Sequence, residues 1–293
     1  MRLKATFLGQ QKKWLLGSLI GLNIAFIHSP AHAFVPYIFE PNKKDLKNAS
    51  ITFGQTAIRL IQYGQAKEAS RVAKLAVRLN ASDETLWSIL AETQVRNKLL
   101  KEAKISLAKA KDINPSNARH WFAEGAITLQ QRDPKNAILL IEKGLTIEPK
   151  NANAYFQLGN AHIMEFNLNS ALKSFEKASE IKPKFWEAIN NQALVLFELG
   201  KINQAIKTWR NVLKIEKNAE PMLALAAALN QTKGNKKESI ELAKKALAKN
   251  PNYVSAKHQA DQLWGTKLLQ ATKELFKEAD LNSDIERALT NAD

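Results

Sequence analysis

The chain has 293 residues, a formal net charge of +15 and no cysteine. The lack of cysteine excludes disulfides, thiol nucleophiles and thiolate metal sites. The positive charge raises nucleic acid or an anionic membrane surface as possible partners. However, the basic residues are spread along the chain rather than gathered in one run, which favours a solvated outer surface.

Residues 1–33 have the pattern of an export signal. Four basic residues and no acid precede the apolar run 15–27, and Ala31-His32-Ala33 supplies the small residues that signal peptidase requires. Thirteen helical residues span about 20 Å, short of the roughly 30 Å of a bilayer core. We therefore predict cleavage after Ala33, which leaves a charge of +11. The alternative is an uncleaved helix that begins near Leu8.

Residues 34–49 are predicted to form an extended segment. Pro36 and Pro41 disfavour helix at the residues that precede them. The dense aromatics Phe34, Tyr37 and Phe39 predict packing against the helices that follow rather than free solvation. The alternative is that these aromatics dock on a partner or on a membrane surface.

A 34-residue repeat organises residues 50–253. In 152–185, large residues occupy positions 4 and 24, small residues occupy positions 8, 20 and 27, and proline occupies position 32. These residues are Tyr155, Phe175, Gly159, Ala171, Ala178 and Pro183. The large side chains fill the space between two antiparallel helices, and the small ones let the helix backbones approach. The same frame recurs in 50–83, 84–117, 118–151, 186–219 and 220–253.

This pattern resembles the tetratricopeptide repeat (TPR). The resemblance implies an all-α fold, a helix-turn-helix solenoid of about six 34-residue repeats. Glycines at 64, 200 and 234 are predicted to end the first helix of their pairs. Residues 254–277 are predicted to form one capping helix that covers the last apolar face, and 278–293 an acidic mobile tail.

The sequence offers little for catalysis. His120, His162 and His258 remain after cleavage, and they are one repeat or more apart. No phosphate-binding glycine loop, nucleophile elbow or paired metal-binding histidines occur. We therefore predict that the protein is not an enzyme and that it binds no cofactor and no metal.

The predicted function lies in the groove that the first helices of a TPR array line. Positions 2, 5, 9, 12 and 13 generally project into it, and they combine aromatic and amide side chains that suit a peptide or a helix. The candidate peptide-binding residues are Arg119, Phe122, Asn153, Phe156, Asn160, Met164, Asn190 and Phe197. The alternative is that the aromatics pack against the next repeat. The TPR subclass that grips a C-terminal carboxylate needs cations where this chain has Phe156, Pro221 and Leu225, so that mode is not predicted.

Three segments resemble a cyanobacterial TPR family with relatives in the chloroplast thylakoid lumen. They are 34–37, 185–191 and 219–229. The resemblance implies an exported protein of the thylakoid lumen or periplasm, a scaffold that assists the assembly or maintenance of photosynthetic or envelope complexes. The alternative is a peripheral membrane-surface organiser that binds anionic lipid through its basic face. Nucleic acid is not an expected partner of an exported chain.

Overall fold

The computed structural model describes residues 40–292, and from Asn42 onward the chain forms one compact unit. The predicted signal peptide and the aromatic residues 34–39 lie outside the described residues. No β-strand occurs between residues 40 and 292. The all-α prediction is confirmed.

Six helix pairs follow one another along the chain. Each pair consists of two helices joined by a short turn, and the second helix of each of the first five pairs also packs against the first helix of the next pair. The first helices are α1 (Lys43–Gln62), α3 (Glu84–Arg96), α5 (Ala118–Gln130), α7 (Ala152–Met164), α9 (Trp186–Glu198) and α11 (Ala219–Gln231). The second helices are α2 (Ala66–Leu79), α4 (Leu100–Ile113), α6 (Pro134–Ile147), α8 (Leu168–Ile181), α10 (Ile202–Ile215) and α12 (Lys236–Lys249).

The large and small positions of the repeat meet inside each pair. A Cβ atom on Gly159 would lie 2.4 Å from Cε1 of Phe175, whose side chain is fully buried. Glycine at this position therefore lets the aromatic ring lie directly against the helix backbone. Trp209 is also fully buried, and its indole donates a 3.1 Å hydrogen bond to Asn190 Oδ1.

The turns inside the pairs share a left-handed residue. Gly64 and Gly200 have φ of +74° and +80°, as the sequence predicts. In the sixth pair, however, Lys233 rather than Gly234 takes a positive φ, of 51°. The second, third and fourth pairs place Lys98, Arg132 and Phe166 in the left-handed region without any glycine.

The N-terminal boundary differs from the sequence prediction. The sequence predicts an extended segment over 34–49, but α1 already begins at Lys43. Asn42 ends the extended chain because its side chain accepts a 3.0 Å hydrogen bond from the backbone N–H of Asp45. An N-cap asparagine of this kind starts a helix, and Pro41 limits only the residue before it.

The predicted single capping helix 254–277 is wrong. The chain instead forms a 3₁₀ turn (Pro251–Val254), α13 (Ala256–Asp261) and α14 (Thr266–Leu275). Leu263, with a φ of 66°, ends α13 and redirects the chain. Helix α14 packs mainly on α11 and α9, which are first helices, rather than on α12 at the end of the array.

The predicted mobile tail is also wrong. Residues 279–281 form a 3₁₀ turn, and α15 (Asn282–Asn291) packs on α12 and on the 3₁₀ turn 251–254. The physical reason is a sparse apolar stripe at helical spacing. Leu281 and Ala288 are buried, and Ile285 packs against the core. Helix α15 therefore covers the end of the array, the role that the sequence assigned to 254–277.

Candidate binding groove

The first-helix face, defined as the surface of the first helix of each pair, contains an open groove between α3 and α5. Its volume is about 750 Å³. Ala91, Ala126 and Val95 supply apolar wall, and Ser88 and Gln130 supply polar wall. An open cleft with mixed walls of this kind suits a peptide segment.

The rim of this groove is mainly basic. Arg96, Lys98 and Arg119 contribute three cations, and Glu92 contributes one acid. Glu92 lies 3.5 Å from Arg96 within the same helix, with both side chains more than half exposed. A solvated pair of this kind is weak and leaves the rim with an excess of positive charge.

The floor of the groove is a buried polar network. His120 is 2% exposed, and its ring lies 3.1 Å from Ser88 Oγ and 3.4 Å from Glu84 Oε2. Asn114 and Asn117 donate to Glu84 Oε1 at 3.2 and 3.0 Å. Burial opposes ionisation of Glu84, but the hydrogen bonds from Asn117, Asn114 and His120 outweigh it and lower the pKa of this carboxyl. These bonds join α3 to α5 and fix the floor.

On α5, one of the two predicted site residues reaches the groove. Arg119 is exposed on the rim. Phe122 is 8% exposed, and its ring packs against Gly144 of α6, the second helix of the same pair. A Cβ atom on Gly144 would lie 2.4 Å from Cε1 of this ring. Phe122 thus packs inside its own pair, which corrects its assignment as a groove residue.

On α7, the four predicted residues have different surroundings. Asn153 is exposed, and Met164 is half-buried. Phe156 is half-buried, with its ring centroid 5.8 Å from that of Phe175 and 5.1 Å from that of Phe185. Asn160 Oδ1 accepts a 3.0 Å hydrogen bond from Asn191, so it joins α7 to α9. Phe156 packs against rings of its own repeat and against a cluster that includes Ala188 of the next repeat, which fits the packing alternative, whereas Asn153 and Met164 present surface.

On α9, the two predicted groove residues are buried at 1% exposure each. Asn190 accepts from Trp209, and Phe197 lies 5.9 Å from Trp209 between ring centroids. Both assignments are therefore corrected, since neither side chain is open to a ligand. The repeat pattern does not reveal this burial, because the C-terminal segment that covers α9 and α11 lies outside that pattern.

That segment lies on the first-helix face itself. The Glu198 carboxylate accepts hydrogen bonds from the first backbone N–H groups of α14, at 3.2 Å from Lys267 and 2.9 Å from Leu268. Leu268 and Leu275 of α14 are fully buried. The chain thus fills the α9–α11 part of its groove with its own helix, as helix-in-groove complexes do.

A partly buried carboxylate lies beneath the same segment. Glu220 Oε1 accepts a 3.0 Å hydrogen bond from the indole of Trp264. Burial raises the pKa of Glu220, and hydrogen bonds from Trp264, Asn190 and Tyr253 oppose the rise only in part. Burial also raises the pKa of Tyr253, and the Glu220 charge adds to that effect.

A second cavity, of about 550 Å³, opens where the free and filled parts of the groove meet. Its walls come from the ends of α7 and α9 and from the α13–α14 connection, and they are largely apolar. Met164, Phe166, Leu263 and Trp264 supply much of this surface, and Arg132 stands at the edge. Sequence reasoning missed Phe166 and Arg132. The sequence did contain a signal for them. Arg132 and Phe166 occupy position 15 of their repeats, where the first and fifth repeats have Gly64 and Gly200.

Two further properties concern residues 40–292. No group of three or more histidine, aspartate or glutamate side chains there is arranged to hold a metal ion. Within the same range, every helix is too short or too polar to cross a bilayer.

The paired helices, the 34-residue period and the shared first-helix face define a TPR solenoid. The tetratricopeptide repeat profile matches residues 152–185. No curated protein matches the chain.

Solved structures share the fold. PilF of Pseudomonas aeruginosa has a TM-score of 0.64 and 17% identity, covering 74% of this chain and 98% of PilF. PilW, described as a widely conserved type IV pilus biogenesis factor, has a TM-score of 0.61 and 17% identity, covering 75% and 97%. YrrB, described as a TPR protein with an unusual peptide-binding site, has a TM-score of 0.50 and 20% identity, covering 65% and 95%.

Proposed function

We propose that this protein is a non-catalytic interaction scaffold that binds a peptide or short helix of a partner protein in the groove between α3 and α5. The observation that carries this proposal is the open groove of about 750 Å³, with a fixed polar floor and a basic rim. The peptide-binding site reported for the structurally similar YrrB supports the same use of the fold.

The chain's own C-terminal helix gives independent support. Helix α14 binds the first-helix face through buried leucines and through the Glu198 carboxylate at its N-terminus. This intramolecular contact is an example of the recognition that we propose for a partner, in which apolar side chains enter a groove and polar groups satisfy the backbone.

The cellular setting is proposed from the sequence. The export pattern of residues 1–33 and the resemblance to thylakoid-lumen TPR proteins support a partner in photosynthetic or envelope complexes. The test is to purify the protein from its native cells and determine its N-terminus. A mature chain that begins at Phe34 supports export, whereas a chain that retains Met1 contradicts cleavage.

The groove itself is tested by blocking it. Ala126→Trp fills the cavity, and Arg119→Glu reverses one charge of its rim. The matched controls are Leu139→Trp and Lys109→Glu, at exposed positions of α6 and α4. Partner capture from native cells is expected to fall with both groove variants and to persist with both controls, at unchanged helicity and melting temperature.

Two outcomes would contradict the proposal. Capture that survives both groove variants would place the partner elsewhere on the surface. Binding of the wild-type protein to anionic vesicles that weakens steeply with salt, without any captured protein, would instead favour the membrane-surface alternative. Substituting Phe197 is unsuitable as a test, since a charge at this buried position would disrupt the core.

A further inference from the structure

Three successive turns keep a large side chain where glycine fits better. Lys98, Arg132 and Phe166 have φ of 61°, 59° and 57°, whereas Gly64 and Gly200 occupy the equivalent position 15 at +74° and +80°. In this region the Cβ atom crowds the following carbonyl oxygen, and glycine avoids that strain. Lys233 shares this strain but borders neither cavity, whereas Lys98, Arg132 and Phe166 each border one, so at these three positions the retained side chain points to a function.

Packing does not explain these side chains. Phe166 is 90% exposed. The Arg132 side chain is 81% exposed, and among the described residues its one ion pair is a long 3.9 Å contact with Asp261. Lys98 is exposed, and no ion pair involves it within residues 40–292. Removing any of the three would therefore cost the fold little.

The position of the three residues places them along one edge of the groove. They occupy the same turn in consecutive pairs, 34 residues apart. Lys98 borders the cavity between α3 and α5, and Arg132 and Phe166 border the second cavity. We call Lys98, Arg132 and Phe166 the turn row.

The charge around the row is positive, and the space beside it is apolar. Lys98 is one of the three cations of the groove rim, and Arg132, with Asp261 3.9 Å away, adds a cation at the edge of the second cavity. The acid that lines the second cavity, Glu198, already accepts hydrogen bonds from backbone N–H groups of α14. Leu263 and Trp264 lie beside Phe166 in this cavity and provide an apolar wall for one large side chain.

We propose that the turn row is a docking edge for an acidic peptide segment that carries one large apolar residue. The acidic side chains lie along Lys98 and Arg132, and the apolar residue enters the second cavity against Phe166. This inference rests on the proposed function, since it assumes that the protein binds a peptide, and it specifies the chemistry of that peptide.

The test uses full-length mature protein and a fluorescein-labelled peptide in which glutamates flank a single phenylalanine. Wild-type protein is expected to bind it more tightly than a version with serine for phenylalanine or lysines for glutamates. Phe166→Gly is expected to weaken binding roughly ten-fold, because an apolar anchor loses its contact surface. Arg132→Gly and Lys98→Gly are expected to weaken it and to reduce its salt dependence.

Stability separates a binding role from a structural one. Each glycine variant is expected to melt at the same temperature as the wild type or higher, because the left-handed turn is relaxed. Lys233→Gly is the matched control, since Lys233 is an exposed left-handed turn residue with a φ of 51° away from both cavities. It is expected to keep full peptide affinity.

Each contrary outcome overturns the inference. If peptide binding is insensitive to Phe166→Gly but is lost with Ala126→Trp, the turn row is wrong and the proposed groove function stands. If the glycine variants melt at lower temperatures, the side chains are structural. If anionic vesicles bind with the same dependence on Phe166 and displace the peptide, the ligand of this edge is a membrane surface and not a protein.

Discussion

Substituting Glu198 with alanine is expected to loosen α14 while leaving the repeats intact. The Glu198 carboxylate caps α14 through hydrogen bonds of 3.2 and 2.9 Å from the Lys267 and Leu268 backbone N–H groups. Loss of a helix N-cap costs about 0.5–2 kcal/mol. Loss of a negative charge at a helix N-terminus costs a further ~0.3–1 kcal/mol. We therefore expect a local loss of about 2 kcal/mol for α14.

Hydrogen exchange measured by mass spectrometry reports this loss segment by segment. A change of about 2 kcal/mol corresponds to roughly thirty-fold faster amide exchange in 264–275. Leu268 and Leu275 stay buried in the variant, so α14 remains docked most of the time. Exchange in α3–α7 should not change.

The matched control is Glu187→Ala, near the start of the same helix, α9. No hydrogen bond or ion pair of the Glu187 side chain is present among residues 40–292. Unchanged exchange in 264–275 of the Glu198 variant would show that the cap contributes nothing. Equally fast exchange across all repeats would show that α14 is inseparable from the array, and either result would refute the reasoning.

Three further predictions concern the buried positions. Burial raises the pKa of Glu220 above 4.5, so the folded state favours the protonated carboxyl. The stability that Glu220 contributes is therefore full below its pKa in the unfolded chain and is lost as the pH rises through its pKa in the folded protein. Glu220→Gln should therefore melt higher than wild type at neutral pH, with a difference that shrinks toward pH 4.5 in calorimetry; a pH-independent difference would contradict it. Gly159→Ala places a Cβ 2.4 Å from the buried ring of Phe175. Overpacking costs about 1–3 kcal/mol, which should exceed the ~1 kcal/mol that alanine gains in helix propensity. Urea denaturation should therefore show a lower free energy of unfolding. A higher value would mean that the Phe175 ring moves to make room. Asn190→Ala leaves the indole N–H of fully buried Trp209 without its acceptor, so unfolding free energy should fall by about 1–3 kcal/mol, whereas exposed Asn153→Ala should change it little.

The repeat fold could be predicted because its physical requirement recurs every 34 residues. A small residue such as Gly159 must oppose a large one such as Phe175 in each pair, and this rule is visible in the sequence. The groove residues could not be predicted equally well. Positions such as Phe122 and Phe197 face the groove in a general TPR frame, but their exposure depends on neighbours that the frame does not specify.

The C-terminal region could not be predicted because it leaves the repeat. Leu263 has no feature that marks a left-handed residue, yet it turns α14 back onto α9 and α11. The residues around Asp284 looked solvated because apolar residues are sparse, although Leu281 and Ala288 suffice to hold α15. In both segments the tertiary partner decides the structure, and local composition does not.

The position of α14 would limit how many partner segments the proposed groove can hold. An array with its entire first-helix face free could hold two client segments in tandem and so bring two proteins together. Here the last two first helices are already covered by α14, and the open cavity of about 750 Å³ lies between α3 and α5. Under the proposed function, α14 would thus leave a partner segment a shorter stretch of groove than six repeats could offer.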